Sequence, residues 1–114
     1  MSKTKIVYNC CYGGFSLSRE AIEMLASMGV QEAIDELKYD RHAYYTFNSY
    51  SERYNKDLVA VVETLGSKAS GTYAQLEIRE IEGDKYRIDE YDGIETVLTP
   101  GDYKWITVEK EDNV

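Results

Sequence analysis

Cys10-Cys11-Tyr12-Gly13-Gly14-Phe15-Ser16-Leu17-Ser18 is the stretch of this sequence whose residue types and spacing suggest chemistry that generic packing does not explain. It falls between a short strand pattern and a helix start. Adjacent glycines let the backbone adopt positive φ or approach another group closely, and the helix that follows would aim its free N–H groups into the same space. Such a corner can hold an anion. Gly13, Gly14 and Ser16 are the candidate backbone cradle for a phosphate, with Tyr12 or Phe15 as a stacking ring. The stretch lacks the lysine of a Walker loop and the third glycine of a dinucleotide fingerprint, so neither assignment applies. The competing reading is a tight strand-to-helix connection whose glycines relieve crowding, with Phe15 in the core.

A second group of residues could serve the same ligand. Tyr39, Tyr44, Tyr45, Tyr50 and Tyr54 fall close together with Phe47, Arg41, His42, Asn48 and Arg53. Tyrosine, serine and asparagine with scattered arginine is the composition of adaptable recognition surfaces, because tyrosine offers large contact area with few torsions to freeze. Arg41 or Arg53 would supply charge to a phosphate, and Tyr12, Tyr44 or Tyr45 would stack on a base. The alternative is that these rings cover the sheet or a subunit contact. A pocket shared between copies would make the protein a homo-oligomer.

Other chemistries find less support. A thiol just before a helix N-terminus could have a lowered pKa, but nothing in the sequence brings His42, the one histidine, near Cys10 or Cys11. One histidine and two vicinal cysteines make no zinc spacing, and the acidic C-terminal third lacks a calcium-loop pattern. Asp89-Glu90-Tyr91-Asp92-Gly93 could offer hydrogen bonds to a base or ribose edge, although a charged turn ending a strand explains it as well. No catalytic set, metal site or cofactor is expected.

The 114 residues suit one domain, expected over 1–109 with a frayed tail at 110–114. No apolar run approaches the length of a membrane span, so no membrane contact is expected. Neighbouring cysteines without another partner predict reduced thiols and a cytosolic setting. The net charge is −8, and residues 76–114 hold 5 Lys/Arg against 12 Asp/Glu, so nearly all of the excess lies in the last third. General nucleic-acid binding is disfavoured, since it depends on cations that neutralise phosphates. A basic protein partner is easier to accommodate.

These residues must be positioned by an α+β domain: an N-terminal strand, two to three amphipathic helices and a C-terminal antiparallel β-meander. Lys3 to Asn9 reads as an interior strand, apolar on both faces. Ser18 is a good N-cap, with Glu20 in the first turn and Leu17 able to staple onto Ile22. Leu17, Ala21, Met24, Leu25 and Met28 make the apolar stripe of a helix closed by Gly29, with both methionines expected in the core. Val30, Ala33, Ile34 and Leu37 suggest a second short helix. The tyrosine-rich stretch has no clean period, although Tyr44 to Asn48 could be a strand. Asn55 then caps a helix carrying Leu58, Val59, Val62 and Leu65, stopped by Gly66. Strands follow, with Gly83-Asp84 as a hairpin loop, turns at Asp92-Gly93 and Pro100-Gly101-Asp102, and a last strand from Tyr103 to Val108.

Cys10 to Ser18, Asp57 to Gly66 with Ala69 to Ala74, and Glu90-Tyr91-Asp92-Gly93-Ile94-Glu95 together resemble a group of small proteins common in tailed-phage and prophage genomes. The likeness spans about three-quarters of the chain and is most specific in its Cys-Tyr-Gly-Gly-Phe turn. The sequence departs from that pattern at Lys56, where a proline often starts the helix, and from Val97 onward. The resemblance implies a viral accessory protein in the host cytoplasm and supplies no catalytic residues. Two functions follow as expectations. The first is sequestration of a small phosphorylated, nucleotide-type ligand, for instance a defence signal. The alternative is an acidic inhibitor that docks on a basic host protein and mimics nucleic acid; a structural virion component is a third class.

Overall fold

A computed structural model describes residues 3–41, 43–102 and Val108. The elements are β1 (Lys3–Asn9), α1 (Arg19–Ser27), α2 (Gln31–Glu36), α3 (Lys56–Leu65), β2 (Leu76–Glu82), β3 (Arg87–Tyr91) and β4 (Ile94–Leu98), with short 3₁₀ turns at Tyr50–Glu52, Gly66–Ala69 and Pro100–Asp102. This is the expected α+β class. The C-terminal strands are antiparallel but divided between two sheets, β1 with β2 and β3 with β4.

The β1–β2 ribbon separates two cores because its residues are apolar on both faces. The register sets Val7 opposite Ile78 and Asn9 opposite Leu76, whereas Thr4 faces Ile81 and Ile6 faces Arg79. Side chains alternate along a strand, so Val7, Ile78 and Leu76 share one face and Ile6 and Ile81 the other. The first face joins the helical core with Ile22, Leu25, Leu58 and Val61. The second packs on Ile88 and Val97 of the β3–β4 hairpin. Each such aliphatic side chain taken fully from water contributes about 1.5–3 kcal/mol.

Local signals set most element ends. Ser18 Oγ accepts the Ala21 N–H, and Asn55 Oδ1 accepts those of Asp57 and Leu58. Gly29 and Gly66 end α1 and its counterpart α3 with positive φ. Asp92 and Gly93 both have positive φ, at 51° and 88°, as a two-residue type I′ hairpin loop requires.

Four expectations need correction. Gly83-Asp84 does not close a β2–β3 hairpin: β2 takes β1 as its partner, and the turn passes the chain from one sheet to the other. Met28 is 45% exposed, because α1 has already ended at Ser27 and Met28 serves as its C-cap; Met24 does pack on the core. Tyr44 to Asn48 forms no strand. Only Tyr44 bridges to Leu17, and the Glu36 carboxylate then takes the Tyr45 and Thr46 N–H groups while Phe47 turns left-handed at φ 64°. Finally, β1 is buried on both faces, but among the described residues no strand pairs with its second edge. The last expected strand lies outside the described residues except for Val108, which is exposed.

Candidate functional site

Along the second edge of β1, the described residues that meet its backbone are Arg53, through both its carbonyl and its side chain, and Glu95. Val7 N–H donates to Arg53 O at 2.9 Å, Arg53 Nη1 donates to Val7 O, and Asn9 N–H donates to Glu95 Oε1 at 2.9 Å. Backbone groups that would otherwise be orphaned at a ribbon edge are thereby satisfied. The Arg53 guanidinium meets Glu95 through both nitrogens, Nη1 to Oε1 at 2.5 Å and Nη2 to Oε2 at 2.8 Å. Nε and Nη2 also donate to Asn48 O, at 3.2 and 2.9 Å. The plane lies 3.7 Å over the Phe15 ring and 5.4 Å from the Tyr50 ring centroid. Both members of the pair are buried.

Asn9, also buried, ties the neighbouring loops to this bridge. Its amide nitrogen donates to Cys11 O and Gly93 O, at 2.6 and 2.7 Å, and its oxygen accepts Gln75 N–H at 2.8 Å. The glycine loop is therefore drawn against the β3–β4 turn. A Cβ on Gly93 would stand 2.2 Å from Tyr12 O and 2.5 Å from Gly14 N, and one on Gly13 would stand 2.1 Å from Tyr73 O. Gly14 has φ +85° and open space around its Cβ position. Close backbone approach is thus the reason for two of these three glycines, and Phe15 is buried as the support of Arg53.

Gly13, Gly14, Tyr45 and Arg53 border one cleft of about 470 Å³, together with Phe15, Asn48, Ser49, Tyr50, Glu90, Gly93 and Glu95. The other predicted site residues lie elsewhere. Tyr44 is fully buried, and its hydroxyl accepts from Arg19 Nη1 and Arg41 N–H while donating to Tyr39 O, so its ring cannot stack on a ligand. Arg41 sits over the Tyr39 ring and 3.8 Å from Glu36, outside the cleft lining. Ser16 is buried beneath Gly71, whose N–H donates to Ser16 O. Tyr12 is exposed beside the cleft without lining it.

This geometry bears on two parts of the phosphate reading. Arg53 has no unused donor, since Glu95, Asn48 and Val7 take all of its N–H groups. The start of α1 is not behind the glycine pair either. Leu17 intervenes as a bridge between Tyr44 and Ser70, and Ser18 caps the helix at Ala21. The Cys10 thiol fares no better as a nucleophile: burial pushes it up, as do the Glu77 and Glu95 charges, and a hydrogen bond with Tyr8 offsets this only in part. Among the described residues no cluster of histidine, cysteine or carboxylate could hold a metal ion, and no helix is long and apolar enough to cross a membrane.

The cleft instead carries negative charge and aromatic rings. Glu90 Oε2 accepts Gly93 N–H at 2.6 Å, which holds its carboxylate at the rim. Burial raises the Tyr50 phenol above its ordinary value, reinforced by Glu95 and Glu90 and opposed by Arg53. Three tyrosines adjoin the same loop: Tyr12 and Tyr73 pack on Gly93 and Gly13 through their backbones, and Tyr91 precedes the β3–β4 turn. A second depression, of about 510 Å³, beside Gly83-Asp84 and Pro100-Gly101 contains none of the predicted site residues. The chain matches no known protein family, no curated protein and no solved structure.

Asn9 and Glu95 were missed as organisers of the site. The sequence carries one signal for Glu95: it shares strand parity with the buried Val97, which sets a carboxylate on an inward face and implies a cationic partner.

Proposed function

We propose that this chain is a non-catalytic binding protein that docks on a basic protein surface through the tyrosine-ringed acidic region around Gly13-Gly14. The observation that carries the reading is the exposure of three tyrosines whose backbones adjoin one loop, Tyr12 at 72%, Tyr73 at 74% and Tyr91 at 78%. Tyrosines so placed give a partner large contact area at little cost in side-chain entropy. Glu90 and Asp92 are exposed at the same turn, in the third of the chain that holds most of the negative charge. Charge of one sign speeds encounter with an oppositely charged surface and selects against others. The resemblance to small phage and prophage proteins supports an accessory protein whose partner belongs to the host.

Sequestration of a nucleotide-type ligand keeps one supporting observation, the meeting of Gly13, Gly14 and Tyr45 at one cleft. Its phosphate would find Arg53 as the lone cation among the residues lining that cleft, already engaged by Glu95.

One pair of measurements separates the readings. The immobilised protein should retain a basic protein from bacterial lysate in a salt-sensitive manner, with loss in Tyr12→Ala/Tyr91→Ala and in Glu90→Gln/Asp92→Asn but not in Arg41→Ala. Native mass spectrometry with linear and cyclic nucleotides should show no stoichiometric adduct. A retained nucleotide that is lost in Gly14→Val, with no basic protein captured, would reverse the order of the two readings.

A further inference from the structure

We infer that the cleft between the glycine loop and the β3–β4 turn is a receptor for an arginine side chain of the partner, an inference that rests on the partner being basic. The half-exposed rings of Tyr45 and Tyr50 line this cleft of about 470 Å³, and Glu90 stands at its rim. Planar guanidinium groups stack on such rings and pair with carboxylates in a way that an ammonium group does not.

The charges favour a cation. Glu90, Glu95 and Arg53 line the cleft, and Arg53 is neutralised by Glu95 at 2.5 and 2.8 Å, which leaves Glu90 unmatched. Glu90 uses Oε2 for Gly93 N–H, and no described residue bonds its second oxygen. That oxygen is an acceptor already fixed in place by the turn, which lowers the entropy lost on binding. The chain's own Arg53 illustrates the same recognition from within, its guanidinium packed on Phe15, near Tyr50 and paired with a carboxylate. A phosphate at the same place would instead meet Glu90.

The test is a ¹⁵N NMR titration of the full chain with three capped tripeptides that differ at one residue: Gly-Arg-Gly, Gly-Lys-Gly and Gly-citrulline-Gly. The arginine peptide should shift the amides of Gly13, Gly14, Ser49, Tyr50 and Gly93, and the lysine peptide should bind roughly tenfold more weakly for want of planar stacking. Glu90→Gln keeps an oxygen for Gly93 N–H and removes the charge, so the turn should persist while arginine binding falls at least as far. Tyr50→Phe should retain binding and Tyr50→Leu should weaken it. The inference is overturned if citrulline binds as well as arginine, if Glu90→Gln leaves the titration unchanged, or if the shifts lie elsewhere. Retention of a basic protein through Tyr12 and Tyr91 with the arginine peptide silent at the cleft would overturn the inference alone. A nucleotide adduct with no basic protein retained would overturn the docking reading as well.

Discussion

Replacing Glu95 with alanine should destabilise the protein more than any other single change at the site. The substitution leaves Arg53 Nη1 and Nη2 without their carboxylate and deprives Asn9 N–H of its acceptor, with both Arg53 and Asn9 fully buried. Removing one partner of a buried pair costs roughly 3–5 kcal/mol, because the remaining charge stays desolvated. Arg53 borders the cleft, so water can reach part of the vacated space, and the lower end, about 3 kcal/mol, is the expectation. That is a large fraction of the roughly 5–15 kcal/mol by which domains are stable. In urea, with a slope of about 1–3 kcal/mol per molar, the midpoint should fall by roughly 1–3 M at unchanged slope. Circular dichroism reads it directly. The double variant Arg53→Met/Glu95→Leu should be more stable than Glu95→Ala, since Asn9 N–H loses its acceptor in either form but only the single variant leaves a buried guanidinium without its carboxylate, and the exposed Asn48 can give its carbonyl to water. A Glu95→Ala midpoint corresponding to a loss within about 1 kcal/mol, or a double variant as unstable as the sum of the singles, would refute the bridge as a support of the second β1 edge.

Further expectations concern the loop, the thiols and acid. Gly93→Ala, whose Cβ would meet Tyr12 O at 2.2 Å, should cost on the order of 1–3 kcal/mol and shift Tyr12 and Gly14 amides in NMR, whereas an unshifted loop would contradict the close approach. Cys10, raised chiefly by burial, should react with iodoacetamide more slowly in the native state than in urea, as peptide mapping of the modified protein can establish. Glu32 is exposed on α2, and its carboxyl is raised by partial desolvation first and by Glu52 and Glu36 next, so its small, solvent-screened contribution is present below the unfolded carboxyl pKa and is lost as pH climbs through the folded value. Glu32→Gln should therefore raise the melting temperature at pH 7 and leave it unchanged near pH 3; an equal gain at both values contradicts this assignment.

Elements governed by local rules were legible in the sequence. The caps at Ser18 and Asn55, the stops at Gly29 and Gly66 and the Asp92-Gly93 turn depend on neighbours a few residues away. Strand pairing was not, because Gly83-Asp84 has hairpin chemistry whichever partner β2 chooses, and the choice falls to a strand some seventy residues earlier that needs an edge covered. The same distance hid the site. Arg53 and Glu95 are 42 residues apart, and nothing near Arg53 signals that its donors are consumed. Gly13, Gly14 and Tyr45 did come together, but around carboxylates and aromatic rings instead of a free cation.

The central claim is that the tyrosines beside the glycine loop form the binding surface. It is tested most directly by placing the photo-crosslinking residue p-benzoylphenylalanine at Tyr12, Tyr91 or, as a control on another element, Met28, and irradiating bacterial cells that express each form. The account predicts a shared adduct with one basic protein from the first two positions and none from Met28. Adducts of equal yield from all three positions, or none from Tyr12 and Tyr91, would contradict it.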